Sequence, residues 1–76
     1  MNNETLTVDG ITYEVLASHT VADIEARGLT NLAQMMREQG RTREMMAKRP
    51  KGRKEFMIIE FASKWGLSYR VIPTSV

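Results

Sequence analysis

The 76-residue chain has no cysteine, two prolines and one histidine. Without thiols it has neither a disulfide framework nor a thiolate zinc site, so packing alone must hold the fold. His19 and the scattered carboxylates show no metal-ligand spacing, and no cofactor motif is present. The five glycines stand singly, so there is no glycine-rich phosphate loop. No apolar run approaches the roughly 20 residues a membrane helix needs. The N-terminal MNNETLTVDG lacks the cationic and apolar regions of a secretory signal. A cytoplasmic protein with no membrane partner, metal or cofactor is the expectation.

Composition is that of an ordinary globular protein, with 42% hydrophobic and 26% charged residues. At this length one domain spanning residues 1–76 is expected, with residues 1–3 and 73–76 frayed and a core of marginal size. The net charge is only +2, but it is unevenly placed. Seven of the eleven Lys and Arg lie between Arg41 and Lys54, against the single acid Glu44. The first thirty residues hold five acids and one base, Arg27.

The stretch TLTVDGITYEV predicts a hairpin, because Asp9-Gly10 is a preferred two-residue turn. Pairing Val8 with Ile11 gathers Leu6, Val8, Ile11, Tyr13 and Val15 on one face and leaves the threonines on the other. A short helix follows, with Thr20 as N-cap, Asp23 completing a capping box and Gly28 just past the end. A second helix is capped by Thr30 and stopped by Gly40, burying Leu32, Met35 and Met36. The sequence leaves open whether these are two helices or one kinked helix.

Residues 41–48 tolerate a helix by propensity. The run RPKGRK argues for a hairpin instead, with proline at the first central turn position and glycine closing it in the left-handed region. A three-residue loop, Pro50-Lys51-Gly52, pairs Met46 with Phe56 and Met45 with Met57. The same geometry at Lys64-Trp65-Gly66 pairs Phe61 with Tyr69, Ile59 with Val71, Ile58 with Ile72 and Glu60 with Arg70. The preferred reading is three strands, roughly 42–49, 54–62 and 67–72. The fold expected is α+β, ordered ββααβββ, a curled antiparallel sheet with one or two short helices on one face.

Catalysis has little support. Ser18, His19 and Asp23 are too close in sequence to aim at one another, and no nucleophile elbow accompanies them. No pair of carboxylates sits in a catalytic motif. A non-enzymatic protein is expected, with no catalytic residues.

The basic hairpin stands out. In the preferred register Arg49 faces Arg53 and Lys48 faces Lys54; with a four-residue loop Arg49 faces Lys54. Like charges opposite one another destabilise a sheet, and an anionic partner would relieve the strain. Cations on a hairpin tip also keep strand edges soluble, which is the simpler account. The density of arginine, whose planar fork suits phosphate, favours DNA or RNA as partner. The candidate nucleic-acid-binding residues are Arg43, Lys48, Arg49, Lys51, Arg53 and Lys54, making contacts largely indifferent to sequence. KRPKGRK resembles the basic hooks that enter the minor groove, without their Gly-Arg-Pro order. It also resembles β-ribbon arms with a proline near the tip, without the rest of that fold.

A second expectation is a protein-binding inhibitor or adaptor of the kind mobile elements or phages encode. It would use Phe56, Ile58 and Trp65 as its surface, with the cations meeting an acidic partner. Trp65, in a turn, is expected to fold back onto the sheet. The methionines are read as core filling, one of each internal pair pointing away. An apolar patch around Phe56 must be covered by the first hairpin or by another chain, so a homodimer through it is also considered.

Overall fold

The computed structural model describes residues 4–74. Five strands and two helices follow in the order β1 (Thr5–Val8), β2 (Ile11–Thr20), α1 (Val21–Ala26), α2 (Thr30–Glu38), β3 (Arg41–Lys48), β4 (Glu55–Ser63) and β5 (Gly66–Pro73). The strands pair antiparallel in sequence order and curl into a half-barrel, giving an α+β domain ordered ββααβββ. Residues 41–48 are strand throughout, which excludes their helical alternative. Bulges at Leu16 in β2 and Thr42 in β3 add one residue to each strand, increasing the local twist that a curled sheet needs.

The first hairpin has the expected register, with Val8 opposite Ile11 and Leu6 opposite Tyr13. Asp9 and Gly10 both take positive φ, 52° and 81°, as a two-residue turn of this kind requires. Its apolar face joins β3 and β4 in one core of Val8, Tyr13, Val15, Met45, Ala47 and Ile58, with Leu6, Phe56, Tyr69 and Val71 packed around it. The first hairpin therefore covers Phe56 itself: the Tyr13 ring meets it edge-on at 5.6 Å. A second chain is not required over that residue.

The chain enters α1 through the expected capping box. Thr20 Oγ1 accepts from the Asp23 amide at 3.1 Å, and the Asp23 carboxylate accepts from the Thr20 amide at 3.0 Å. Gly28 follows with φ 86°, so the two helices are separate. At α2 the expectation needs correcting. Leu29, not Thr30, is its N-cap, and Ala33 and Met36 are the buried residues, while Leu32 and Met35 are exposed. Ala33 packs with Val21, Ile24 and Met36, and its small side chain lets α1 come close. That contact turns the Leu32–Met35 side outward.

Both later hairpins are shifted by one residue from the expected register. Met46 lies opposite Met57, Met45 opposite Ile58, Ala47 opposite Phe56 and Lys48 opposite Glu55. The turn itself has Pro50 in its expected place, closed by the Gly52 amide donating to the Arg49 carbonyl at 2.9 Å. Gly52 is not in the left-handed region, and the chain continues through Arg53 and Lys54 before β4 begins. The longer connection lets Met45, Ala47 and Ile58 all reach the inner face, where each is 0–1% exposed.

The β4–β5 connection is correspondingly shorter. Ser63 lies opposite Gly66 across a two-residue turn, so Ile58 meets Val71, Glu60 meets Tyr69 and Ile59 meets Arg70. The Trp65 amide donates to Ser63 Oγ at 3.2 Å, and that hydroxyl donates to the Gly66 carbonyl at 3.3 Å, which fixes the tight turn. β5 runs to Pro73, and Thr74 Oγ1 donates to the Glu55 carbonyl at 3.0 Å. Residues 1–3, 75 and 76, expected to fray, lie outside the described residues. Among the described residues no helix is long and apolar enough to cross a membrane.

Candidate nucleic-acid interface

The six candidate cations divide into two structural groups. Arg43 is not on the hairpin tip. It sits five residues before Lys48, about 16 Å along the strand at ~3.3 Å per residue. Its guanidinium bonds Glu4 at 3.2 Å and Glu60 at 3.3 Å, and its side chain is only 20% exposed. Glu60 also accepts from Thr42 at 2.8 Å and Tyr69 at 2.9 Å. Burial opposes the charge on Arg43, but the Glu4 and Glu60 carboxylates outweigh it and hold its pKa above the usual value. Burial likewise opposes the Glu60 charge, and the Thr42 and Tyr69 hydrogen bonds with the Arg43 charge overcome it, keeping Glu60 below the usual carboxylate range. The chain of contacts Glu4–Arg43–Glu60–Tyr69 links the segment before β1 to β5 and ties the curl of the sheet together.

Lys48 is also engaged. Its Nζ stands 3.8 Å from the Glu14 carboxylate and donates to the carbonyls of Arg49 at 3.4 Å and Pro50 at 3.2 Å. With Glu55 opposite it, its charge serves the base of the hairpin. The expected facing of Lys48 with Lys54 is replaced by an acid, a consequence of the register shift.

Arg49, Lys51, Arg53 and Lys54 form the second group. All four are exposed, and among the described residues none takes part in an ion pair. Arg49 and Lys54 converge on one aromatic ring: the Arg49 guanidinium carbon lies 6.0 Å and the Lys54 Nζ 5.8 Å from the centroid of Phe56. Each such contact contributes about 0.5–1 kcal/mol at an exposed site. Two cations held on one ring in this way stand at most about 12 Å apart, and in water their repulsion is a few tenths of a kcal/mol. The ring therefore offsets the repulsion and keeps two like charges together. An open recess of about 350 Å³ lies between them, lined by Arg49, Gly52, Arg53, Lys54 and Phe56.

Phe56, Ile58 and Trp65 are not brought together as one surface. Ile58 is fully buried in the core. Phe56 is half-buried, with its ring serving the core and the basic tip at once. Trp65 lies in the turn just past the other end of β4, whose seven steps from Phe56 to Ser63 span about 23 Å. It does not fold back: it is 86% exposed, with Lys64 Nζ 5.1 Å from its ring centroid. Trp65 is the second residue of a two-residue turn, where the side chain projects beyond the sheet and has no strand to lie on. Leu67 beside it is also exposed.

His19 is half-buried opposite Glu44, in a shallow cavity of about 140 Å³ shared with Met45, Met46 and Met57. Met36 and Met45 fill the core, while their neighbours Met35 and Met46 point elsewhere. Among the described residues no group of three or more histidines and acids is placed to hold a metal.

Sequence reasoning missed Phe56 as a platform for the cations and the carboxylates that neutralise Arg43 and Lys48. The available signal was Glu55: a loop one residue longer places it opposite Lys48. No family model, curated protein or solved structure matches the chain.

Proposed function

We propose that this domain is a non-enzymatic module that binds nucleic acid through the hairpin around residues 48–54. Arg49, Lys51, Arg53 and Lys54 neutralise backbone phosphates, and Lys48 and Arg43 hold the framework that presents them. The observation that carries this reading is the separation among the six candidate cations: Arg43 and Lys48 are paired with carboxylates, while Arg49, Lys51, Arg53 and Lys54 stand together at one turn with no carboxylate partner among the described residues. A surface meant only for solubility has no need to collect cations on a shared ring. Contacts of this type fix position on a backbone and carry little base information, so binding should be largely independent of sequence. The test is fluorescence anisotropy with a mixed-sequence duplex and an RNA strand at low salt. Binding that weakens on combining Lys51→Ala with Arg53→Ala is expected, and no binding at low salt refutes the reading.

A second reading rests on Trp65, whose exposure at a rigid turn beside Leu67 suits an anchor for a protein partner. In that case the domain is an adaptor or inhibitor, and the cations meet an acidic surface of the partner. Capture of a partner that Trp65→Glu abolishes, with the fold intact, would favour it over nucleic acid.

A further inference from the structure

We infer that the recess between Arg49, Arg53 and Lys54 is a subsite for a terminal phosphate, the phosphomonoester end of a nucleic acid strand. This rests on the proposed nucleic-acid binding and specifies which part of the strand the hairpin prefers.

The recess differs from the rest of the tip. Its volume of about 350 Å³ is near the lower end of the ~300–1,000 Å³ typical of small-ligand sites. Three of its five lining residues are cations, and its one aromatic residue, Phe56, has two of them over its ring. Lys51, at the apex, does not line it. The cavity therefore concentrates charge at one point instead of spreading it along a track.

Charge arithmetic then chooses the ligand. An internal phosphodiester carries one negative charge and is flanked by sugars on both sides. A terminal phosphomonoester carries about −1.5 to −2 at neutral pH and offers three strong acceptor oxygens. Three convergent donors with no carboxylate among them match the second group better, and arginine forks bond such oxygens in pairs. The aromatic residue leaves an apolar surface beside the phosphate against which the terminal sugar or base can lie. Pro50 and the bond from the Gly52 amide to the Arg49 carbonyl hold the turn in shape before any ligand arrives. Little ordering is then left for binding to impose.

The test uses one duplex of mixed sequence carrying a 3′ fluorophore, prepared with and without a single 5′-phosphate. The wild-type protein should bind the phosphorylated form about tenfold more tightly, the effect of roughly one added charge-assisted hydrogen bond. Arg53→Gln and Lys54→Gln should each reduce this ratio towards one. Lys51→Gln should weaken both duplexes alike and leave the ratio unchanged. Inorganic phosphate should compete better than chloride at matched ionic strength. Equal binding of both duplexes by the wild-type protein overturns the inference and leaves the proposed function standing. A preference that survives Arg53→Gln and Lys54→Gln overturns it by placing the subsite elsewhere. Absence of binding to either duplex at low salt removes both.

Discussion

The division of the basic segment into paired and unpaired cations sets a number for salt dependence. Binding that neutralises Z phosphates on duplex DNA makes log K fall with log salt at a slope of about −0.9Z. The four cations of the hairpin tip, Arg49, Lys51, Arg53 and Lys54, give Z of 4 and a slope of about −3.6. Between 50 and 200 mM salt, affinity should then drop by about 150-fold. Removing two of them with Lys51→Ala and Arg53→Ala should lower the slope to about −1.8 and the drop to about 12-fold. If Arg43 and Lys48 also reached phosphates, the slope would be about −5.4. Arg43→Ala should therefore leave the slope unchanged, although it weakens the fold. Anisotropy titrations at four salt concentrations measure all of this. A wild-type slope near −5, or a slope that falls with Arg43→Ala and not with Lys51→Ala, would refute the assignment of roles.

Other consequences concern the framework. Ile58→Ala should cost about 2–5 kcal/mol in urea denaturation, since Ile58 is fully buried on the inner face of the sheet. Glu60→Gln should cost about 1–3 kcal/mol by the same measurement, because it leaves the half-buried Arg43 short of a counter-charge. Since the folded-state pKa of Glu60 is depressed, its contribution is complete above the unfolded carboxylate value and disappears as pH falls through the folded one. Acid titration of the wild-type protein should thus show stability falling below about pH 4–5, and the Glu60→Gln variant should show a smaller loss. Trp65 is the single tryptophan, so its fluorescence should be fully open to acrylamide quenching and should change little on unfolding.

Local signals in the sequence carried the architecture well. Asp9-Gly10, the Thr20–Asp23 capping box, Gly28 and Gly40 each act within a few residues, and each stands where the sequence reading puts it. Alternation of apolar residues, together with the turn signals at Asp9-Gly10, Pro50–Gly52 and Gly66, was enough for five strands and their order along the chain. Register was harder. A glycine after a proline is compatible with loops of several lengths, and only the burial of Met45, Ala47 and Ile58 against β2 and β5 decides among them. The same one-residue difference governs the site, because it sets Glu55 against Lys48 and leaves Arg49 and Lys54 to meet at Phe56. Partners distant in sequence, such as Glu4 for Arg43, have no local signature at all.

The most direct test of binding at the basic hairpin is a map of backbone amide shifts by NMR during titration with a short mixed-sequence duplex at low salt. The expected result is that amides of residues 49–56 move together and saturate, while those of Lys64–Leu67 and the two helices stay in place. Shifts centred on Trp65, or no saturable shift at the hairpin, would contradict it.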